Sequence, residues 1–184
     1  MKRRDLLLLA GSGLVAGCSS TGSTDAGAKR RGIDGGVDRA VGELVTNARG
    51  ARELIDKAEA VLVFPQVLTV GLVAGGSYGE GALRVRGRTA EYYSTAAGSV
   101  GLLAGAESKA VYILFMTDEA LAKFRASKGW TVGADASVTL LNVGASASVD
   151  SKTVQQEIVG YVLTNGGLMA NVSLEGTKIT PITL

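Results

Sequence analysis

Histidine is missing from all 184 residues of the chain. Its absence excludes Ser-His-Asp and Cys-His catalysis and removes the commonest metal ligand. Cysteine occurs once, at Cys18, so the chain can form no disulfide within itself. Proline occurs only twice and 46% of residues are hydrophobic, which separates the chain from disordered low-complexity sequences. Phosphate-loop chemistry is also lacking. The glycines from Gly75 to Gly81 are not followed by the Lys-Ser/Thr pair that reaches nucleotide phosphates and magnesium. A second glycine string, Gly11 to Gly17, lies in an N-terminal leader-like stretch and carries no nucleotide signal. Carboxylates occur at Asp118, Glu119 and Glu157, but they fall where helix caps and strand ends are expected. Together these absences predict a protein that is not an enzyme and uses no cofactor and no metal.

An apolar run long enough to cross a bilayer is missing as well. Residues 6–16 are apolar but fall short of the ~20 residues a span requires. With Lys2-Arg3-Arg4 before them they read as the basic and apolar regions of a secretory signal. Val15-Ala16-Gly17-Cys18 then resembles the box at which a bacterial lipoprotein is cleaved and acylated. Arg3-Arg4 before Leu6 and Leu7 also fits a twin-arginine signal, so both export routes stay open. On this reading residues 1–17 are a signal peptide, Cys18 is the lipidation site, and residues 18–32 are a lipidated tether. Residues 19–31 are small and polar and should behave as a flexible coil. Ser19 after the cysteine favours the outer membrane, so the expected place is the bacterial cell envelope, lipid-anchored, facing periplasm or surface. The net charge of +2 falls to zero once Lys2, Arg3, Arg4 and Asp5 leave. A neutral domain argues against nucleic acid as a partner, because that needs a basic footprint.

Glycine is what the chain has in excess, with 26 residues, about twice the usual share of roughly 7%. The densest run, Gly71 to Gly81, leads straight into a strand pattern. Glycine there marks a bulge, a bend, or a place where another backbone comes close. Leu83 and Val85 then alternate with Arg84, Arg86 and Arg88, the period-2 signature of a half-buried strand. Residues 60–64 read as a short buried strand stopped by Pro65. Residues 89–94 read as a strand carrying Tyr92-Tyr93, and residues 99–107 as one with Val100, Leu102, Ala104 and Ala106 on one face. Residues 110–116 are apolar on both faces and should be a central strand. Val132, Ala134, Ala136, Val138 and Leu140 alternate as a further strand, and Val143, Ala145, Ala147 and Val149 repeat the pattern. Residues 157–164 and 168–174 flank Asn165-Gly166, the strongest hairpin signal in the chain.

Helical periodicity occurs twice. Val37, Val41, Leu44, Ala48, Ala51, Ile55 and Ala58 follow a 4-3 spacing that makes one apolar stripe, with a break expected near Gly50. Arg39 and Lys57 lie opposite the stripe, with Arg49 and Arg52 on its flank. The stripe suits a helix packed on a sheet, and also a helix that turns its apolar or basic side to a membrane. The basic cluster Lys29-Arg30-Arg31 suits a solvated charge run as well as contact with anionic lipid, worth about 1 kcal/mol per charge. Thr117 should cap a second helical stretch at residues 120–127, with Asp118 and Glu119 at its positive end. The predicted fold is α+β. It is a strongly curved antiparallel sheet or partly closed barrel of about eight strands, with N-terminal helices and one mid-chain helix, as a single domain at residues 33–184.

Several blocks, taken in order, resemble the SYLF domain and more narrowly its bacterial lipoprotein branch. They are residues 58–65, Gly75-Gly76-Ser77-Tyr78-Gly79-Glu80-Gly81, Tyr92-Tyr93-Ser94, residues 99–106, Gly166-Gly167-Leu168-Met169-Ala170 and residues 174–179. The resemblance implies a lipid-binding domain in which Gly75, Gly76, Tyr78, Gly79, Gly81, Tyr92 and Tyr93 are structural motif residues. Eukaryotic members associate with phosphoinositide membranes and actin-regulatory machinery, and the actin role is not expected of an envelope lipoprotein. Their lipid contact is attributed to a basic, amphipathic N-terminal portion. Its counterpart here holds Lys29, Arg30, Arg31, Arg39, Arg49 and Arg52. The chain departs from bacterial relatives at Leu103 and Glu107, where glutamines are expected, and from eukaryotic ones at Tyr92-Tyr93, where a tryptophan is common. Two functions follow as expectations. One is a membrane-anchored module that binds anionic phospholipid. The other is a structural module that shows a sheet edge or the Tyr92-Tyr93 face to an envelope protein partner, without lipid specificity of its own.

Overall fold

The computed structural model describes residues 21–71, 74–100, 105–141, 156–164, 167–168 and 173–184. Two helices come first, α1 (Thr21–Asn47) and α2 (Ala51–Lys57). Four long strands follow: β1 (Ala60–Gly71), β2 (Ala74–Val85), β3 (Arg88–Val100) and β4 (Gly105–Phe115). After α3 (Asp118–Ala126) come β5 (Trp130–Thr131), β6 (Thr139–Leu140), β7 (Ile158–Thr164), β8 (Gly167–Leu168) and β9 (Lys178–Ile182). Among the described residues nine strands join one sheet in the order β5-β9-β3-β2-β1-β4-β7-β6, with β8 paired to β7. The ladder is antiparallel except where β6 runs parallel to β7. The fold is α+β, a strongly curled half-barrel, as expected.

A bulge at the middle of the sheet interrupts both ladders of β1. Against β2, the residues Phe64 and Pro65 together oppose Gly81; against β4, Pro65 and Gln66 together oppose Ala110. β1 therefore runs through Pro65, where a stop was expected. Proline donates no ladder hydrogen bond, and the bulge is where a central strand tolerates that loss. A Cβ on Gly81 would lie 2.1 Å from the Val63 carbonyl oxygen, and one on Gly79 would lie 2.6 Å from that of Gln66. These two glycines let the bulged backbone of β1 press into β2, the close approach that the glycine run predicts.

The sheet has a core on each face. On one, Leu62, Phe64, Leu83, Ile113 and Phe115 pack with Phe124 of α3 and with Trp130. On the other, Val61, Val63, Ala82, Tyr112, Leu114 and Tyr161 pack against Val37, Leu44, Ala48, Ala51 and Leu54 of the helical region. The predicted stripe is thus buried, and the helix breaks at Gly50 with φ 78°. Burying each large apolar side chain is worth about 1.5–3 kcal/mol. That outweighs the helix propensity lost at Gly32, Gly35, Gly36 and Gly42, each roughly 1 kcal/mol poorer than alanine.

Four further expectations are corrected. Helix α1 begins at Thr21, inside the stretch read as a flexible tether. Its early turns are held because Ile33 and Val37 bury on the sheet and Lys29 meets β2. Residues 99–107 are not one strand. Ser99 and Val100 end β3 against Gly75 and Ala74, whereas Gly105 opens β4 against Gly71. The alternation from Val132 to Leu140 is broken by a turn at Gly133 (φ 87°), where Asp135 Oδ2 accepts from the Thr131 N–H at 2.6 Å. Val132, Val138 and Leu140 still pack on the core, so the pattern recorded burial and not one continuous strand. Strand β9, which contains Pro181 and joins β3 to β5, had not been expected. Other readings hold: β4 is central, Thr117 Oγ1 accepts from the Ala120 N–H, and Thr164 pairs with Gly167 across Asn165-Gly166. The run from Val143 to Val149 lies outside the described residues. No helix among the described residues is long and apolar enough to cross a membrane.

Candidate functional site

Helix α1 lies across the strands and is clamped there. Arg84 of β2 donates to Asp38 at 2.6 Å and to the Asp34 carbonyl at 3.3 Å. From β3, Thr89 and Tyr92 donate to the two oxygens of the Asp34 carboxylate at 2.8 and 3.0 Å. Further along, Gly36 sits on the bulge, where an added Cβ would be 3.0 Å from Pro65 Cγ. Beyond it, Tyr112 of β4 donates to the Ala40 carbonyl at 2.8 Å. The helix thus passes from β3 over β2 and β1 to β4. This clamp was not read from the sequence. Its one local trace is Asp34 and Asp38, four residues apart beside the apolar stripe.

The crossing leaves part of that face uncovered. A flank of α1 bearing Gly32, Ile33, Gly36, Arg39, Ala40 and Glu43 borders an open cleft of about 800 Å³. Its floor includes Pro65 and Leu68 of β1, Tyr78 and Glu80 of β2, and Ser108 of β4. On the same face Leu68, Val70 and Tyr78 are 45%, 51% and 53% exposed, the large apolar side chains left to solvent among the described residues. Lys29 closes the N-terminal end of the cleft through an ion pair with Glu80 at 2.8 Å, and the Tyr78 hydroxyl donates to the same carboxylate oxygen at 2.8 Å. Desolvation pushes the Glu80 carboxyl up, but the hydrogen bonds from Lys29 and Tyr78 and the Lys29 charge outweigh it and hold it below its ordinary value. The same hydrogen bonds raise the pKa values of Lys29 and Tyr78.

The predicted basic set does not form one patch. Lys29 and Arg39 share the cleft side of α1. Arg30 donates to the carbonyl of Leu184, and Arg31 is exposed. Arg49 and Arg52 are exposed beyond the other end of the helix, roughly 27 Å of helix axis from Lys29 at ~1.5 Å per residue. Cys18 lies outside the described residues. Gly75, Gly76, Tyr78, Gly79 and Gly81 all fall on β2, and Tyr92 and Tyr93 on β3. Neither tyrosine of that pair is displayed. Tyr92 anchors α1, and the Tyr93 ring is buried 4.9 Å from Phe124 with its hydroxyl on Glu91, which also pairs with Arg125 at 2.6 Å. Asp118 and Glu119 lie in the first turn of α3, where Glu119 pairs with Lys123 at 2.8 Å, and Glu157 is exposed before β7.

A second cavity, under the opposite face, has about 130 Å³ and is lined by Phe64, Thr69, Thr95, Val111, Leu174 and Ile179 among others. A void of that size suits a benzene-sized group and falls short of the roughly 300–1,000 Å³ typical of ligand pockets.

Residues 96–183 match the family model described as Ysc84, Las17-binding protein actin regulator, which is the SYLF family. The match covers the end of β3 and everything from β4 to β9. No curated protein matches the chain.

Proposed function

We propose, for a chain whose residues 96–183 carry the Ysc84 (SYLF) domain, a non-catalytic lipid-binding role at a bacterial membrane. Cys18 would anchor it in the cell envelope after loss of residues 1–17, and the α1 side of the sheet would dock on anionic phospholipid. One observation carries this reading. The cleft sets Arg39, exposed and without an ion-pair partner among the described residues, beside uncovered Leu68 and Tyr78. A phospholipid surface presents the same sequence of chemistries, anionic phosphate and then acyl chain. Stable anchoring takes about two lipid signals, and an acylated cysteine already exceeds that. Docking by the domain therefore serves orientation or recognition.

A protein-interaction module of the envelope is the second reading. It is favoured by the pairing of Lys29 with Glu80, which removes one cation from any headgroup site. Flotation of residues 19–184 with phosphatidylglycerol or phosphatidylcholine vesicles separates the two. The lipid role requires salt-sensitive binding to phosphatidylglycerol, lost when Lys29, Arg30, Arg31 and Arg39 become glutamine and kept when Arg49 and Arg52 do. Binding to neither vesicle would leave the interaction module.

A further inference from the structure

We propose that the uncovered end of the four-stranded sheet β1–β4 enters the interfacial layer of a bilayer tip-first, with α1 as a crossbar that stops it at headgroup level. This rests on the lipid-binding reading above and specifies which part of the domain meets lipid, and how deeply.

The register defines the surface. Leu68 opposes Tyr78, Tyr78 opposes Ala96, and Val70 opposes Ala106, so these side chains share the α1 face, with Ala74 beyond them on β2. All six are exposed. The chain has no charged residue from Val67 to Gly79 or from Ser94 to Ala106, the stretches that hold the ends of all four strands. A contiguous uncharged apolar patch marks a partner or membrane surface.

Three features favour lipid over a protein partner. A cation comes from the crossbar itself, with exposed Arg39 along the boundary of the patch. Glu80 there is neutralised by Lys29, which leaves Glu43 as the acid lining the cleft. Secondly, Tyr78 holds its hydroxyl on Glu80 while its ring is exposed, the arrangement that places tyrosine at a membrane–water boundary. Finally, the chain outside the structure points the same way. Cys18, the anchor in the lipid-binding reading, lies three residues before α1, at its Lys29 end, and Lys29 bonds Glu80, two residues from Tyr78.

Backbone pairing sets the depth. From Tyr78 to Ala74 the strand advances about 13 Å at ~3.3 Å per residue. β1 and β2 are paired on both sides over this length, so their peptide groups are satisfied. β3 has no outer partner after Ala96, and β4 has none before Lys109, among the described residues. Unpaired peptide edges are excluded from hydrocarbon. The tip therefore enters obliquely, so that this length of strand stays within the hydrated interfacial layer, the outer ~5–10 Å that interfacial elements occupy, and does not span.

The test uses the full chain with Cys18→Ser and one new cysteine at a time, carrying the dye NBD: Val70→Cys, Glu43→Cys or Ala122→Cys. With phosphatidylglycerol vesicles, NBD at position 70 should brighten several-fold, shift to the blue and be quenched by lipid-borne quenchers. Position 43 should respond weakly, and position 122, on the exposed side of α3, should not respond. A label-free variant, Val70→Asp, should weaken vesicle binding roughly tenfold or more, as expected for keeping one valine-sized side chain out of the apolar layer, at unchanged Tm. Flotation with position 70 still in water would overturn the tip-first mode while leaving lipid binding standing, since residues 6–16 or α1 would then do the binding. A position-70 response without vesicles that grows with protein concentration would also overturn it, assigning the patch to a second copy of the chain. Absence of both flotation and dye response would overturn the lipid reading together with this one.

Discussion

Gly81→Ala tests the account of the curl. The new Cβ would stand 2.1 Å from the Val63 carbonyl oxygen, 2.8 Å from its carbonyl carbon and 2.7 Å from Phe64 Cδ1. Two of these are backbone atoms, so no rotamer change relieves the clash. Carbon contacts are comfortable at about 3.5 Å or more, so β1 and β2 must part by about 1 Å at a normal spacing near 4.8 Å. Two ladder hydrogen bonds beside the bulge are then lost, at about 1 kcal/mol each. Overpacking of Phe64 adds about 2 kcal/mol. The total near 4 kcal/mol lowers Tm by roughly 8–16 °C, at ~2–4 °C per kcal/mol for a chain of this size. Gly76→Ala is the control: its Cβ has Ala97 O as nearest neighbour at 3.7 Å, and its effect should stay within about 0.5 kcal/mol. Thermal melts by circular dichroism and urea titrations read both variants. If Gly81→Ala melted with the wild type, the close approach of β1 would not be what requires glycine there.

Asp34→Ala removes the acceptor shared by Thr89 and Tyr92. It should cost about 2 kcal/mol, the range for hydrogen bonds to a charged group, and lower amide-exchange protection in α1 before it does so in β4. Phe124→Ala empties the middle of an aromatic cluster whose rings lie 4.9, 4.8 and 5.4 Å from it at Tyr93, Phe115 and Trp130. A loss of about 3–5 kcal/mol and a red shift of the Trp130 emission are expected. For Glu80→Gln the pH dependence gives the sign. The carboxyl is held below its ordinary value of 4.5 in the folded state, so its stabilisation is present above that pH and is lost as pH falls through the lowered value. Lys29 is held above 10.5, so its contribution persists until the solution is more alkaline than that. Wild type and Glu80→Gln should thus differ in Tm near neutrality, by under about 1 kcal/mol for a partly exposed pair, and converge in acid. A difference that grew on acidification would refute the pairing.

What the sequence determined by itself was what depends on neighbours along the chain. The 4-3 stripe from Val37 to Ala58, the break at Gly50, the Thr117 cap and the pairing of Thr164 with Gly167 each follow from side chains within a few residues of one another. The two-faced apolar pattern of residues 110–116 likewise foretold a strand with neighbours on both sides. What remained undecided depends on distant partners. Pro65 ends a strand by local rules, yet Gly81, sixteen residues on, accepts the bulge that carries β1 past it. A small, polar stretch reads as a tether until Lys29 finds Glu80, fifty-one residues away, and Arg30 finds Leu184, one hundred and fifty-four away. The candidate site is of this second kind. Leu68, Val70 and Tyr78 have the alternation of buried strand residues, and α1, held across the sheet by Arg84, Thr89 and Tyr92, leaves them uncovered among the described residues.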